Sequence, residues 1–168
     1  MKIIVPVLVL AVLTGCASVP DVKIVSKSGS FSVSSGSEIC VVFPEDGKFE
    51  GKKYEESGIK VGEVIFKSVL NNYKAFQVAS VQECTAAYLI TSEILEYENR
   101  ASGWSGKPDK IKVKVTLNNA ENNKTNSFTY YAETNMIVSA FFEWGNAAPY
   151  KLLDGKFRDQ VAALLQGK

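Results

Sequence analysis

The stretch that most constrains the fold is Ile111 to Leu117, where Ile111, Val113, Val115 and Leu117 alternate with Lys112, Lys114 and Thr116. A period of two puts the four apolar side chains on one face of an extended strand and the polar ones on the other. Such a strand needs a sheet with one covered and one wet face, so the rest of the chain must supply a covering layer. The Asn-rich segment 118–126 turns the chain back into a hairpin partner over 127–135. Ala87 to Glu98 forms a long strand just upstream, and Ala75 to Ala79 a short one. Glu38 to Phe43 is an apolar run stopped by Pro44, suited to a strand buried on both faces.

Two stretches have the spacing of the covering helices. Val61, Val64, Ile65, Val69 and Tyr73 make one apolar face, with Ser57 placed as N-cap; Leu153, Phe157, Val161, Leu164 and Leu165 make the other. The order is strand, helix, strand, three-stranded meander, helix. This predicts an α/β two-layer sandwich, βαββββα, with a mixed sheet of about five strands and two helices in a single domain over 38–168.

The amino-terminal end points to where that domain is expected to reside. A basic Lys2, an apolar run from Ile3 to Val12 and Leu13-Thr14-Gly15-Cys16 read as a lipoprotein signal with a lipobox. The run is too short to span a bilayer, which takes about 20 apolar residues. Cleavage is expected before Cys16, which becomes the lipidation site and the chain's membrane attachment. Residues 1–15 are then the signal peptide, and 16–37 an acylated cysteine with a Ser-rich tether whose mean reach is roughly 25 Å. The alternation Phe31-Ser32-Val33 leaves open an irregular strand within it. Ala17 after the cysteine resembles the sorting pattern of Gram-negative lipoproteins, which implies the outer membrane and a periplasmic domain.

Composition narrows the function classes. The chain has 168 residues with 19 basic and 18 acidic side chains, too even a balance for a nucleic-acid partner. It has no histidine, which rules out Ser-His-Asp, Cys-His and His-metal chemistry. Cys40 and Cys84 lie in an oxidising compartment, either bonded, closing a loop of about 45 residues, or as two separate buried thiols. No catalytic residue, metal site or cofactor is expected. Ser57-Gly58-Ile59-Lys60 has the Ser-x-x-Lys form but lacks its companion motifs, and helix capping accounts for Ser57. Simple alternation puts Glu93 on the opposite face from Glu96 and Glu98, so these carboxylates do not converge. Asp46 and Asp109 could approach each other at the end of the sheet and bind a cation.

If the first strand and the Ala87 strand are parallel, the strand at Phe128 runs the same way, two reversals later. The loops at 44–57, 99–110 and 136–151 then leave the sheet at one rim. They hold Tyr54, Trp104, Phe141, Phe142 and Trp144 beside Asp46, Arg100 and Asp109. Aromatic and arginine anchors dominate interface hot spots, so this rim is the candidate partner-binding surface. The competing reading folds the rings back over the sheet's end as a satellite core.

Pro44, Asp46-Gly47, Gly51, Tyr54, Ser57-Gly58, Trp104-Ser105-Gly106, Pro108-Asp109 and the Ile-x-Val-x-Val strand together resemble an uncharacterised domain-of-unknown-function family of proteobacterial outer-membrane lipoproteins. The broader plan is similar to the amino-terminal domain of the Tol translocation protein and to the curli-secretion and penicillin-binding-protein-activator lipoproteins. The resemblance implies this fold and an envelope location, with no assigned activity. The resulting expectation is a non-enzymatic lipoprotein that binds an envelope protein as an accessory or regulator. The alternative is a cell-wall carbohydrate binder or hydrolase, with peptidoglycan as its partner.

Overall fold

A computed structural model of the chain describes residues 20–100, 108–134, 148–153 and 155–168. Its strands are β1 (Asp21–Ser28), β2 (Glu38–Val42), β3 (Lys48–Phe49), β4 (Lys52–Lys53), β5 (Lys74–Val78), β6 (Tyr88–Glu98), β7 (Lys110–Asn119) and β8 (Lys124–Glu133). Helix α1 (Ser57–Leu70) precedes β5 and helix α2 (Lys156–Leu165) ends the domain. The main sheet runs β1-β8-β7-β6-β2-β5, with β3 and β4 forming a separate hairpin. β2 lies parallel to β5 and β6, and every other neighbour in the main sheet is antiparallel. The molecule is thus a two-layer α/β sandwich with a mixed sheet.

The Ile111–Leu117 alternation does what its period demands. Ile111, Val113, Val115 and Leu117 are fully buried, whereas Lys114 is exposed. Val61, Ile65 and Val69 of α1 and Phe157, Val161 and Leu164 of α2 close over them in one apolar cluster. Phe157 is held edge-on between Phe128 at 5.8 Å and Tyr130 at 5.0 Å, so it keys α2 to β8.

Three features depart from the sequence expectations. The sheet has six strands, because Asp21–Ser28, placed in the tether by its Ser-rich composition, pairs with β8 as an edge strand. An edge strand with one half-buried position, Val22, needs little apolar patterning, and the ladder with β8 supplies its stability. Second, β6 carries a bulge: Ile94 pairs with Val113 and Glu96 with Lys112, leaving Leu95 as the extra residue. One inserted residue reverses the alternation, so Glu93, Glu96 and Glu98 share one face, opposite Lys114, Lys112 and Lys110. They still do not gather at a point, since they form a row facing a row of lysines. Third, Ser57 is not the N-cap. The cap position is Glu56, in the left-handed region at φ 64°, and its side chain makes no capping bond.

Cys40 and Cys84 are joined by a disulfide with a Cα–Cα distance of 5.7 Å. It ties the middle of β2 to the connection between β5 and β6.

Candidate functional site

Because β2, β6 and β8 point the same way, the segments that follow them emerge at a single rim. The first of these, residues 43–56, is folded tightly onto the sheet. Gly47 sits against the Tyr97 ring so closely that a Cβ would collide with it. Asp46 Oδ1 accepts the Gly58 N–H at 2.9 Å and its Oδ2 lies 3.2 Å from Lys53 Nζ. The Gly58 hydrogen bond, helped by Lys53, holds the Asp46 carboxyl below its ordinary range. Asp46 therefore caps α1 from a loop twelve residues upstream. Gly58 is required there, since any side chain would strike the Pro44 carbonyl oxygen. Ser57 Oγ accepts the Gly47 N–H at 2.8 Å and donates to the Tyr54 carbonyl, which gives it a structural duty.

Tyr54 lies on Tyr97, ring centroids 5.4 Å apart, and its hydroxyl donates to the Asn99 carbonyl at 3.3 Å. Tyr97 is 3% exposed, and burial pushes its phenol up to about 12. Tyr54 thus serves the covering role weighed against the interface role. On its outer side Lys52 Nζ stands 5.2 Å over the ring.

The second segment begins at Arg100. Its Nε and Nη2 each lie 3.0 Å from Glu98 Oε2, and the guanidinium sits 4.8 Å over the Phe49 ring of the β3–β4 hairpin. Lys110 Nζ approaches the same carboxylate oxygen at 3.7 Å. Asp109 is 6% exposed; its Oδ1 accepts the Arg100 N–H at 2.6 Å and its own N–H donates to Thr134 Oγ1 at 2.9 Å. Asp109 is a brace between the ends of β6, β7 and β8. Asp46 and Asp109 have separate partners and do not form a shared cation site, and among the described residues no group of three metal-ligating side chains occurs.

Of the rim residues expected from sequence, Asp46, Tyr54, Arg100 and Asp109 come together at this end of the sheet. Trp104, Phe141, Phe142 and Trp144 lie outside the described residues, as does Cys16. Two open clefts of about 500 Å³ each flank the Glu45–Lys48 turn. One is bounded by Lys53 and Ile59, the other by β6 residues Ser92 to Leu95. Exposed Lys48, Lys52 and Lys53 on the hairpin are the feature that sequence reasoning missed. Their clustering was visible as Lys-Phe-Glu-Gly-Lys-Lys, a short turn between basic residues.

No family model matches the chain, and no curated protein matches it. Among solved structures, a PelC dodecamer from Paraburkholderia phytofirmans is similar at a TM-score of 0.58 with 10% identity, covering 89% of this chain and 99% of that one. Weaker likenesses link it to XCC0632 from Xanthomonas campestris, of family DUF330, at 0.48 with 13% identity and coverage of 77% and 84%. The lipoprotein GNA1162 from Neisseria meningitidis follows at 0.43 with 12% identity and coverage of 75% and 98%. The PelC comparison establishes a shared fold; the other two carry no argument by themselves.

Proposed function

We propose that this chain is a lipoprotein anchored in the outer membrane through acylated Cys16, whose periplasmic domain works without catalysis as a protein-binding accessory of an envelope assembly. The anchor reading rests on Leu13-Thr14-Gly15-Cys16. The binding reading rests on one observation, the common direction of β2, β6 and β8, which concentrates three connecting segments at one rim. PelC, with the same fold, occurs as a dodecamer, which supports a domain of this kind acting through assembly with protein chains.

Because Asp46, Tyr54 and Asp109 are occupied internally and Arg100 is paired with Glu98 over the Phe49 ring, the contact residues on this reading are Trp104, Phe142 and Trp144. The anchor is tested by the intact mass of the protein from cell membranes and by density-gradient fractionation. Wild type should carry acyl groups at Cys16 and travel with outer-membrane markers, and Cys16→Ser should be released. The binding mode is tested by sedimenting the protein with isolated peptidoglycan. Stoichiometric co-sedimentation would favour the cell-wall reading over the protein-binding one.

A further inference from the structure

The path of the chain from its anchor fixes which end of the domain meets the membrane. β1 runs antiparallel to β8, and its first residue, Asp21, pairs with Glu133, the last residue of β8. The carboxyl end of β8 belongs to the rim. The chain coming from Cys16 therefore joins the sheet at the rim and not at the opposite end.

Only Ala17, Ser18, Val19 and Pro20 separate Cys16 from Asp21. Fully extended, this connection spans at most about 17 Å. The far end of the sheet, the turn between β7 and β8, lies a further ~30 Å along ten-residue strands. A tether running to residue 37 would leave the domain free to turn, but β1 is fastened down. Seven of its residues pair with β8, Ser26 Oγ donates to Thr129 Oγ1 at 2.9 Å, and the Ser28 and Ser127 hydroxyls meet at 2.9 Å. Beyond β1 the chain is locked again, with the Phe31 carbonyl accepting from Asn126 Nδ2 at 2.7 Å and the Val33 N–H donating to the Leu165 carbonyl at 2.8 Å.

We infer that this short anchor holds the domain with its rim toward the bilayer, so that the β3–β4 hairpin, with Lys48, Lys52 and Lys53 exposed, faces the phospholipid headgroups. The inference rests on acylation at Cys16. The hairpin stands at the membrane-proximal end because Gly47 packs on Tyr97 and Phe49 lies under Arg100, both beside the last residues of β6. Lys53 is paired with Asp46, and exposed Glu45, Glu55 and Glu56 flank the hairpin, so the orientation is set by the short anchor and not by charge.

The test uses the full acylated protein in phosphatidylethanolamine–phosphatidylglycerol vesicles, with an environment-sensitive fluorophore on Lys52→Cys or Glu121→Cys and a nitroxide quencher on the lipid headgroups. The native cysteines are acylated or disulfide-bonded, so the introduced thiol alone is labelled. Quenching several-fold stronger at position 52 than at 121 is expected, and the contrast should vanish when a Gly-Ser spacer of about 20 residues is inserted after Ser18. Equal quenching at both positions, or a contrast that survives the spacer, overturns the orientation. The intact mass separates the two claims: acylated protein with equal quenching refutes only the orientation, whereas unacylated protein refutes the anchor and the orientation with it.

Discussion

The two ends of the sheet are held by different chemistry. At the end away from the rim, one neutral side chain fastens three elements. Asn126, 2% exposed, donates to the Phe31 and Leu164 carbonyls at 2.7 and 3.1 Å and accepts the Phe31 N–H at 3.3 Å. It joins the segment after β1, the start of β8 and the last turn of α2. Gly29, at φ +88°, lies so close that a Cβ would strike the Thr125 carbonyl. At the rim the fasteners are charged and partly wet: Glu98, Arg100 and Lys110 side chains keep 16%, 22% and 28% of their exposure. The buried neutral clasp is insensitive to pH and salt, and the rim is sensitive to both.

The contrast can be broken in graded steps. Reducing the Cys40–Cys84 disulfide, which belongs to neither end, should cost about 4 kcal/mol on the chain-entropy estimate for its loop. Urea unfolding with and without reductant measures this, and an unchanged midpoint would show that the bond contributes nothing. Asn126→Ala should cost about 2 kcal/mol, since it removes three hydrogen bonds to the backbone of Phe31 and Leu164, and that cost should be the same at pH 4 and pH 7. At the rim, Asp46→Ala should cost about 1 to 2 kcal/mol at neutral pH through loss of the α1 cap.

The Asp46 effect carries a sign. Its carboxyl is held below the ordinary value in the folded state, so its stabilisation is complete above the unfolded pKa near about 4 and is lost as pH falls through the folded value. Wild type and Asp46→Asn should accordingly converge in stability on acidification. A gap that stays constant from pH 7 to pH 3 would contradict the assignment. The smallest effect belongs to Arg100→Gln, about 1 kcal/mol, shrinking further in high salt because the pair with Glu98 is only partly buried.

These differences also explain what could be read from the residues alone. The alternation at Ile111–Leu117 and the helical spacing of Val61, Ile65 and Val69 are repeated signals, each carried by several residues. They gave the two-layer plan, and the shared rim followed on the condition, met in the structure, that the first strand and β6 are parallel. Asn126 is one residue in an Asn-rich turn, and nothing local distinguishes a clasp from a loop. β1 is hidden because an edge strand with a bulge at Val25 needs almost no apolar face. The Leu95 bulge shows how brittle alternation is, since one extra residue moved Glu93 to the face of Glu96 and Glu98. At the candidate site, strand direction could be read well enough to bring Asp46, Tyr54, Arg100 and Asp109 to one end of the sheet, but not to tell that Asp46, Arg100 and Asp109 spend their charges on partners within the fold.

The central claim is that the rim is the surface through which the domain acts. Photo-crosslinking in living cells compares a reactive residue at Trp104, in the segment that follows β6, with one at Glu121 at the opposite end of the sheet. A discrete protein adduct from Trp104 and none from Glu121 is the predicted result. An adduct from Glu121 with none from Trp104, in variants that fold and fractionate normally, would contradict it.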